Sequence, residues 1–455
     1  MDYEERSKKS YQVDMTTGSL IKNVLWFVLP ICLGNILQQL YGIVDTLVIG
    51  KFCGANSLAA VGTSTKPVEI LLCVFLGIGT GISILVSQYT GSGDEKRMKE
   101  LVQTSITFLY VSAIPLTVLG PFLGIVILKF MKVPEDVYEA AASYINLVLL
   151  GTIGNMGYNM NAGILRGFGD SMSSLLFLFV ACGINILLDL ILVGKLEMDV
   201  EGAAIATSVS MLTAWFFSIL YIRKKYRKLE FPFFPHSINK EMLKRMLAVG
   251  LPLGLNSSIY SLGHILLQSL INAQGTVFIA GCTIGEKIDN IGNMANAAFA
   301  SAGTTYAGQN LGAGKIDRIK KGIWLAIFYT CIWCTLVIVA SYTIGDKLVY
   351  LVTGTHNENV ILNATRYLKF DTLFYYVTAV ICIVRNAMQG LDDHITPIVS
   401  STLEMLGKIV IAFTLVPHLG YTGVIIAEPI VWFVMVIPLI VQIFRMPVLK
   451  QTSLS

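Results

Sequence analysis

Apolar and polar positions alternate along this chain in long blocks rather than in short periods. Runs of twenty or more mostly apolar residues are separated by short polar segments, and a run of that length at 1.5 Å per helical residue crosses the hydrocarbon core of a bilayer. Twelve such spans fit the sequence: 24–50, 60–89, 101–123, 143–165, 173–193, 202–222, 246–272, 279–308, 322–344, 360–390, 396–416 and 423–444. Several exceed twenty residues, which predicts tilt, kinks or extension beyond the bilayer.

The blocks also repeat. Pro30 returns as Pro252, Ala59-Ala60 as Ala280-Gly281, and Gln88-Tyr89-Thr90-Gly91-Ser92-Gly93 as Gln309-Asn310-Leu311-Gly312-Ala313-Gly314. Gly167-Phe168-Gly169-Asp170 returns as Gly390-Leu391-Asp392-Asp393, and Gly202-Ala203 as Gly423-Val424. The chain is therefore one unit of about 220 residues written twice. Each copy carries six spans. An even number gives both copies the same orientation, so the expected relation is a pseudo-twofold axis along the membrane normal, with a central cavity between two six-helix bundles. The predicted layout is a tail over 1–23, an N-terminal lobe over 24–222, a linker over 223–245, a C-terminal lobe over 246–444 and a tail over 445–455. The linker, with Phe231-Pro232-Phe233-Phe234-Pro235, is expected to be in part an interfacial helix.

Composition agrees with an all-α integral membrane protein. Of 455 residues 54% are apolar and 14% charged, against roughly 25% charged in a soluble chain, and mean hydropathy is +0.68. The net charge of +4 reports orientation rather than nucleic acid binding. With both termini inside, the inner segments hold 22 Lys and Arg and the outer loops five, which predicts cytoplasmic termini. No cleavable signal peptide is apparent, because the first apolar run is too long for a signal core; Met15 offers an alternative start. The eight cysteines are scattered, mostly in apolar runs where Cys is a small hydrophobe. Cys331-x-x-Cys334 has no His or acidic partner nearby, so no metal or redox centre is expected there.

Ionisable groups within spans are costly, so each is a candidate site. Asp45 lies in span one. Asn185 and Asp189 lie in span five at i,i+4, on one helix face. Tyr144 in span four and Thr207 in span six add oxygen atoms. If spans one and five face each other, two carboxylates share a dry pocket. They cannot both ionise cheaply and would titrate jointly, which makes a proton site. The oxygens of Asp45, Asn185, Asp189 and Thr207 also suit Na⁺. The second copy lacks these groups: Asp45 maps to Leu266 or Leu267, Asn185 to Lys408 and Asp189 to Ala412. The carboxylate pocket is thus expected in the first half alone. The alternative is that Asp45 and Asp189 brace helices near the membrane surface.

In span eight, Glu286, Asn290, Asn293 and Ala297 follow helical spacing beside Lys287 and Asp289. They either line the central cavity or form an internally paired helix contact. Tyr260 and Met294 complete the candidate lining. Lys66 with Glu69, and Glu404 with Lys408, read first as local ion pairs, and His264 as a packing residue. Gly77-x-Gly79-x-Gly81 lies in an apolar helix with no Lys-Ser/Thr sequel, so it serves close helix packing rather than phosphate.

As a set, Pro30, Val44-Asp45-Thr46, Leu58-Ala59-Ala60-Val61-Gly62, Ser87-Gln88-Tyr89-x-Gly91, Leu165-Arg166-Gly167-x-Gly169-Asp170, Asn185-x-x-x-Asp189 and Gly202-Ala203-Ala204 resemble the multidrug and toxic compound extrusion (MATE) family over nearly the whole chain. The resemblance implies a V-shaped fold of two six-helix lobes and export coupled to entry of H⁺ or Na⁺. The cation site of the family's DinF-type branch falls here on Asp45, Tyr144, Asn185, Asp189 and Thr207, all of matching type. The NorM-type branch adds a Glu in span seven and an Asp in span ten. These positions fall near Tyr260 and Thr378, neither of them acidic.

The expected protein is a secondary antiporter of organic, amphipathic and cationic compounds in a bacterial inner membrane, monomeric, with no cofactor beyond the coupling ion and no nucleic acid partner. One alternative is a flippase for a lipid-linked or polyprenyl-linked precursor, to which Lys66, Lys287, Arg385 and Lys408 would contribute charge. Another is a membrane-embedded enzyme or receptor, although no His-Glu-x-x-His or Gly-x-Ser-x-Gly motif appears.

Overall fold

The structure, a computed structural model, describes residues 12–450 other than 131, 132, 134, 273–275 and 354–356. Within the helices, the side chains of 55, 66, 70, 130, 136, 260–262, 264–272, 276, 277, 279, 280, 283, 352 and 353 fall outside the description. Lys66, Tyr260 and His264 are among these, so their predicted roles lie outside the described residues.

The described residues are helical, with no strand. In chain order the helices are α1 (Leu20–Phe52), α2 (Ala55–Ser92), α3 (Glu95–Phe130), α4 (Glu135–Leu150), α5 (Thr152–Gly167), α6 (Ser171–Leu192) and α7 (Asp199–Lys225). There follow α8 (Lys240–Asn272), α9 (Thr276–Gly312), α10 (Ile316–Thr353), α11 (Glu358–Thr372), α12 (Tyr375–Gly390), α13 (Ile395–Thr414), the short α14 (Val416–Leu419), α15 (Tyr421–Arg445) and the short α16 (Pro447–Lys450).

Two of the predicted spans differ from expectation. Span four is broken at Gly151 into α4 and α5, bent by 51°, and span ten is broken between Thr372 and Tyr375 into α11 and α12, bent by 55°. The breaks fall at equivalent places in the two copies. Gly151 is required at the first: a Cβ there would stand 2.2 Å from the Ser208 side chain of α7. Among the described residues, eight helices are long and apolar enough to cross a membrane, or ten if each bent pair counts as one span. Helices α8 and α9 are long enough but fall outside that count; α9 carries a central polar run, Glu286 to Asn296.

The chain forms two compact units. Among the described residues, one holds 29–254 with 12–14, and the other 255–450 with 15–28. In the first unit an apolar core runs through α2, α3, α5, α6 and α7 and the start of α8, with Ile84, Leu85, Leu101, Ile164 and Met246 fully buried. A tight seam joins α2 to α8. A Cβ at Gly77 would fall 2.2 Å from the backbone of Gly254, and one at Gly81 2.8 Å from Gly250. Only glycine lets two backbones approach so closely. The linker is not an interfacial helix. It has one 3-10 turn, Arg227–Leu229, and then lies extended against α3, where Tyr110 donates a hydrogen bond to the Phe233 carbonyl at 2.9 Å and the Arg223 guanidinium covers the Phe233 ring at 4.1 Å.

In the second unit the core is built mainly by α12 and α15, joined by residues of α9, α10, α11 and α13, with Met388, Val431 and Leu439 fully buried. Helices α1, α3, α10 and α15 leave large apolar side chains such as Leu29, Val118, Leu336 and Phe444 exposed, as helices facing lipid must.

Candidate functional site

The local sequence of α6 places its polar residues. Asp170 caps the helix by accepting from the Ser173 amide at 3.1 Å, and its carboxylate is held by Lys225 at 2.6 Å. From that fixed start the buried residues run Ser174, Leu178, Ala181, Cys182, Asn185 and Asp189, a single stripe at helical spacing. Asn185 and Asp189 therefore point into the unit and are fully buried, while Leu187, Leu190 and Ile191 face out.

Helix α1 supplies the opposing wall. The carboxyl groups of Asp45 and Asp189 adjoin directly, and the Tyr41 and Tyr144 rings stand within the field of both. The Tyr41 hydroxyl lies 3.0 Å from Thr207 Oγ1 of α7. Spans one, four, five and six thus bring Asp45, Tyr144, Asp189 and Thr207 together, with Asn185 one turn before Asp189. Tyr41 was not singled out from the sequence, yet it lies one turn before Asp45 on the same face.

This cluster is under-satisfied. Both carboxyl oxygens of Asp189, Oδ1 of Asp45 and both polar atoms of the Asn185 amide are buried without a hydrogen-bond partner among the described residues. Native interiors rarely leave even one such group unpaired. Among the described residues no Lys or Arg pairs with either Asp, and no group of three or more His, Cys, Asp or Glu is placed to hold a metal. What remains is a donor set of two carboxyls, an amide and a hydroxyl. Two adjoining carboxyls can bond only through a shared proton, and the same oxygens match a hard monovalent cation.

The second unit holds charge differently. On α9, Gly281 and Gly285 admit Asn363 and Tyr367 of α11 so closely that a Cβ would clash at 2.8 and 2.6 Å. One turn on, that approach sets Asp289 against Asp371. Asp289 accepts a short hydrogen bond from the Tyr375 hydroxyl, and the Asn293 amide donates to Asp289 Oδ2 at 3.0 Å. The second half therefore has a carboxyl pair of its own, contrary to the expectation that only the first does. Its residues are not repeats of Asp45 and Asp189. Their counterparts in the first half are Val68 and Leu149, which belong to one apolar cluster. The acidic residue buried in span ten is Asp371, in α11, not a residue near Thr378 of α12.

Of the span-eight candidates, Asp289 and Asn293 are engaged with Tyr375, and the Asn296 amide donates to Asn293 at 2.9 Å. Asn290 is exposed and Glu286 and Met294 are half-buried. Lys408, at the repeat position of Asn185, is buried between Glu404 at 3.1 Å and Glu428 at 2.9 Å, with Arg385 4.0 Å from Glu404. Two cations and two carboxylates balance there, so that cluster is internally neutral.

Comparison with known proteins agrees with this architecture. A family model described as MatE matches residues 30–191 and again 252–414, one match in each copy of the repeat. The chain is 27% identical over 405 residues to the probable multidrug resistance protein YoeA of Bacillus subtilis, covering 87% of each chain. It is 29% identical over 362 residues to the probable multidrug resistance protein YpnP of the same organism, covering 80% of each. The fold matches the outward-facing structure of a multidrug resistance MATE family transporter of the MOP superfamily with a TM-score of 0.89 at 23% identity, over 97% of this chain and 99% of that one. With both halves matched by the same model, this chain is a multi-pass membrane transporter of the MatE, or multidrug and toxic compound extrusion, family.

Proposed function

We propose that the protein exports organic, amphipathic and cationic compounds in exchange for H⁺ or Na⁺, with Asp45, Asn185, Asp189, Tyr144 and Thr207 as the coupling site. Tyr41 joins that set through Thr207. The observation that carries this reading is the pair of adjoining carboxyls, Asp189 fully buried and Asp45 half-buried with its Oδ1 shielded, beside a fully buried amide and with no cation from the protein among the described residues. Such a group is stable only with a proton or cation bound, or with one carboxyl neutral. The names of the relatives, multidrug resistance proteins, support drug export.

In this mechanism the ionised pair holds α1, α6 and α7 in one arrangement while the organic compound is bound. Entry of H⁺ or Na⁺ neutralises the pair and removes its repulsion. The three helices then repack, and affinity for the compound falls on the outer side. The ion drives the change only through its different affinity for the two arrangements. The reading assigns the chain to the DinF-type branch, as a monomer in the bacterial inner membrane with both termini cytoplasmic and no enzymatic activity.

The test is purified protein in liposomes, with imposed pH and Na⁺ gradients and a panel of cationic dyes. Gradient-driven export is expected in the wild type and lost in Asp45→Asn and Asp189→Asn. Wild-type export by both variants, at equal protein, would discard the coupling site.

A further inference from the structure

Arg166 ends α5 as a cation without a counter-ion among the described residues. Two glycines of the same helix press it onto α2: a Cβ at Gly163 would stand 2.9 Å from the Gly79 carbonyl oxygen, and one at Gly167 2.7 Å from that of Ser83. The helix end is therefore fixed, and the Arg166 side chain rises beside a cavity of about 60 Å³ whose polar lining is Asn35, Gln38, Tyr158, Asn159, Ser174 and Arg166 itself. The nearest acid along the chain, Asp170, is committed elsewhere, accepting from Lys225 at 2.6 Å, Tyr221 at 3.0 Å and the Ser173 amide at 3.1 Å. Among the described residues Arg166 has no ion pair or hydrogen bond, and the amides of Asn35 and Gln38 have no hydrogen bond either.

A half-buried guanidinium facing a pocket of amides and two hydroxyls, with no carboxylate in the described lining, is an arrangement that attracts an anion. The planar fork of Arg matches a carboxylate in a bidentate way. The cavity holds about two water-sized groups, enough for a carboxylate head but not for the body of an organic molecule. Its position adds a constraint. Asn35, Gln38, Tyr41 and Asp45 share one face of α1, and Ser174, Asn185 and Asp189 share the buried stripe of α6. The Arg166 cavity and the carboxyl pair therefore lie on one side of the unit, roughly 15 Å apart at 1.5 Å per residue along α1, with the apolar Leu178, Ala181 and Cys182 of α6 between them.

We propose that Arg166, with the Asn35 and Gln38 amides, is an oxyanion subsite. It takes the carboxylate of an amphoteric organic compound whose basic end lies toward Asp45 and Asp189. The cargo assignment rests on the export reading above; the oxyanion site does not.

Isothermal titration of purified protein with benzoate and with benzyl alcohol tests the site. The wild type is expected to bind benzoate and not the alcohol. Arg166→Gln is expected to weaken benzoate about tenfold or more, and Arg166→Lys, which keeps the charge without the fork, to retain part of the affinity. No benzoate binding by the wild type, or equal binding by Arg166→Gln, overturns the subsite. Proteoliposomes test the cargo, using rhodamine B, which carries a carboxylate, and its ethyl ester, which does not. The export ratio of the acid to the ester is expected to fall about tenfold in Arg166→Gln. An unchanged ratio, with benzoate binding lost, assigns the subsite to a free anion and overturns the cargo assignment. Export of neither dye by the wild type, with benzoate still bound, overturns the export reading and supports the oxyanion subsite alone.

Discussion

The Tyr41 hydroxyl and Thr207 Oγ1 lie 3.0 Å apart and join α1 to α7 beside the carboxyl pair. Tyr41 precedes Asp45 by one helical turn, so the bond closes over the acidic pocket on the same face of α1. Any motion that slides α1 along α7 must break it.

That bond is measurable as a coupling energy. Tyr41→Phe and Thr207→Val each remove one partner, and a double-mutant cycle on unfolding free energy is expected to give an interaction of about 1 kcal/mol. Strictly additive losses would mean that the two hydroxyls do not interact.

The carboxyl pair predicts a spectroscopic signature. Two adjoining carboxyls share a proton and titrate as a unit. Infrared difference spectra across a pH step are expected to show a protonated-carboxyl band that both Asp45→Asn and Asp189→Asn diminish. A band of unaltered amplitude in both variants would place the titrating proton elsewhere.

In the second unit, Lys408 is buried between Glu404 and Glu428. Lys408→Ala leaves Glu404 and Glu428 with Arg385, 4.0 Å from Glu404, so one carboxylate is stranded in an apolar interior, and is expected to cost about 3–5 kcal/mol. Adding Glu428→Gln removes the stranded charge, leaves Glu404 balanced by Arg385 and should restore much of that loss. Thermal unfolding in detergent checks both, and a mild effect of Lys408→Ala would show that water reaches the cluster.

The seam between α2 and α8 separates glycines that must be glycine from one that need not be. Gly77→Ala puts a methyl group into the backbone of Gly254 and is expected to destabilise by about 1–3 kcal/mol or more. Gly79 has nothing within 4 Å of its missing Cβ, so Gly79→Ala is expected to be neutral or to stabilise by about 0.4–1 kcal/mol. Equal melting temperatures for the two variants would refute the close approach.

Much of this architecture can be read from residue order. The repeat, the spans and the Asp45, Asn185 and Asp189 stripe follow from apolar run length, motif recurrence and i,i+4 spacing, and these are local properties of the chain. Tyr41 could have been found the same way, one turn from Asp45. The pair Asp289 and Asp371 could not. Both sit at positions where the other copy has Val68 and Leu149, so the repeat gives no cue to them. Their meeting depends on Gly281 and Gly285 drawing two helices together, and on a break that turns one apolar run into α11 and α12. Glu428 joins Lys408 only through the packing of α15 on α13, which no spacing rule encodes.

The two broken spans have a consequence for the way force passes through each half. A continuous helix is a stiff rod because every turn is bonded to the next. At Gly151, and again between Thr372 and Tyr375, that chain of bonds is interrupted, so part of a span can pivot through a few backbone torsions while the remainder stays anchored in its core. Asp371 lies at the second interruption and Tyr144 in the half-span ahead of the first. Duplication preserved the elbows while the side chains beside them diverged, leaving two levers with fulcrums in matching places and different chemistry at each.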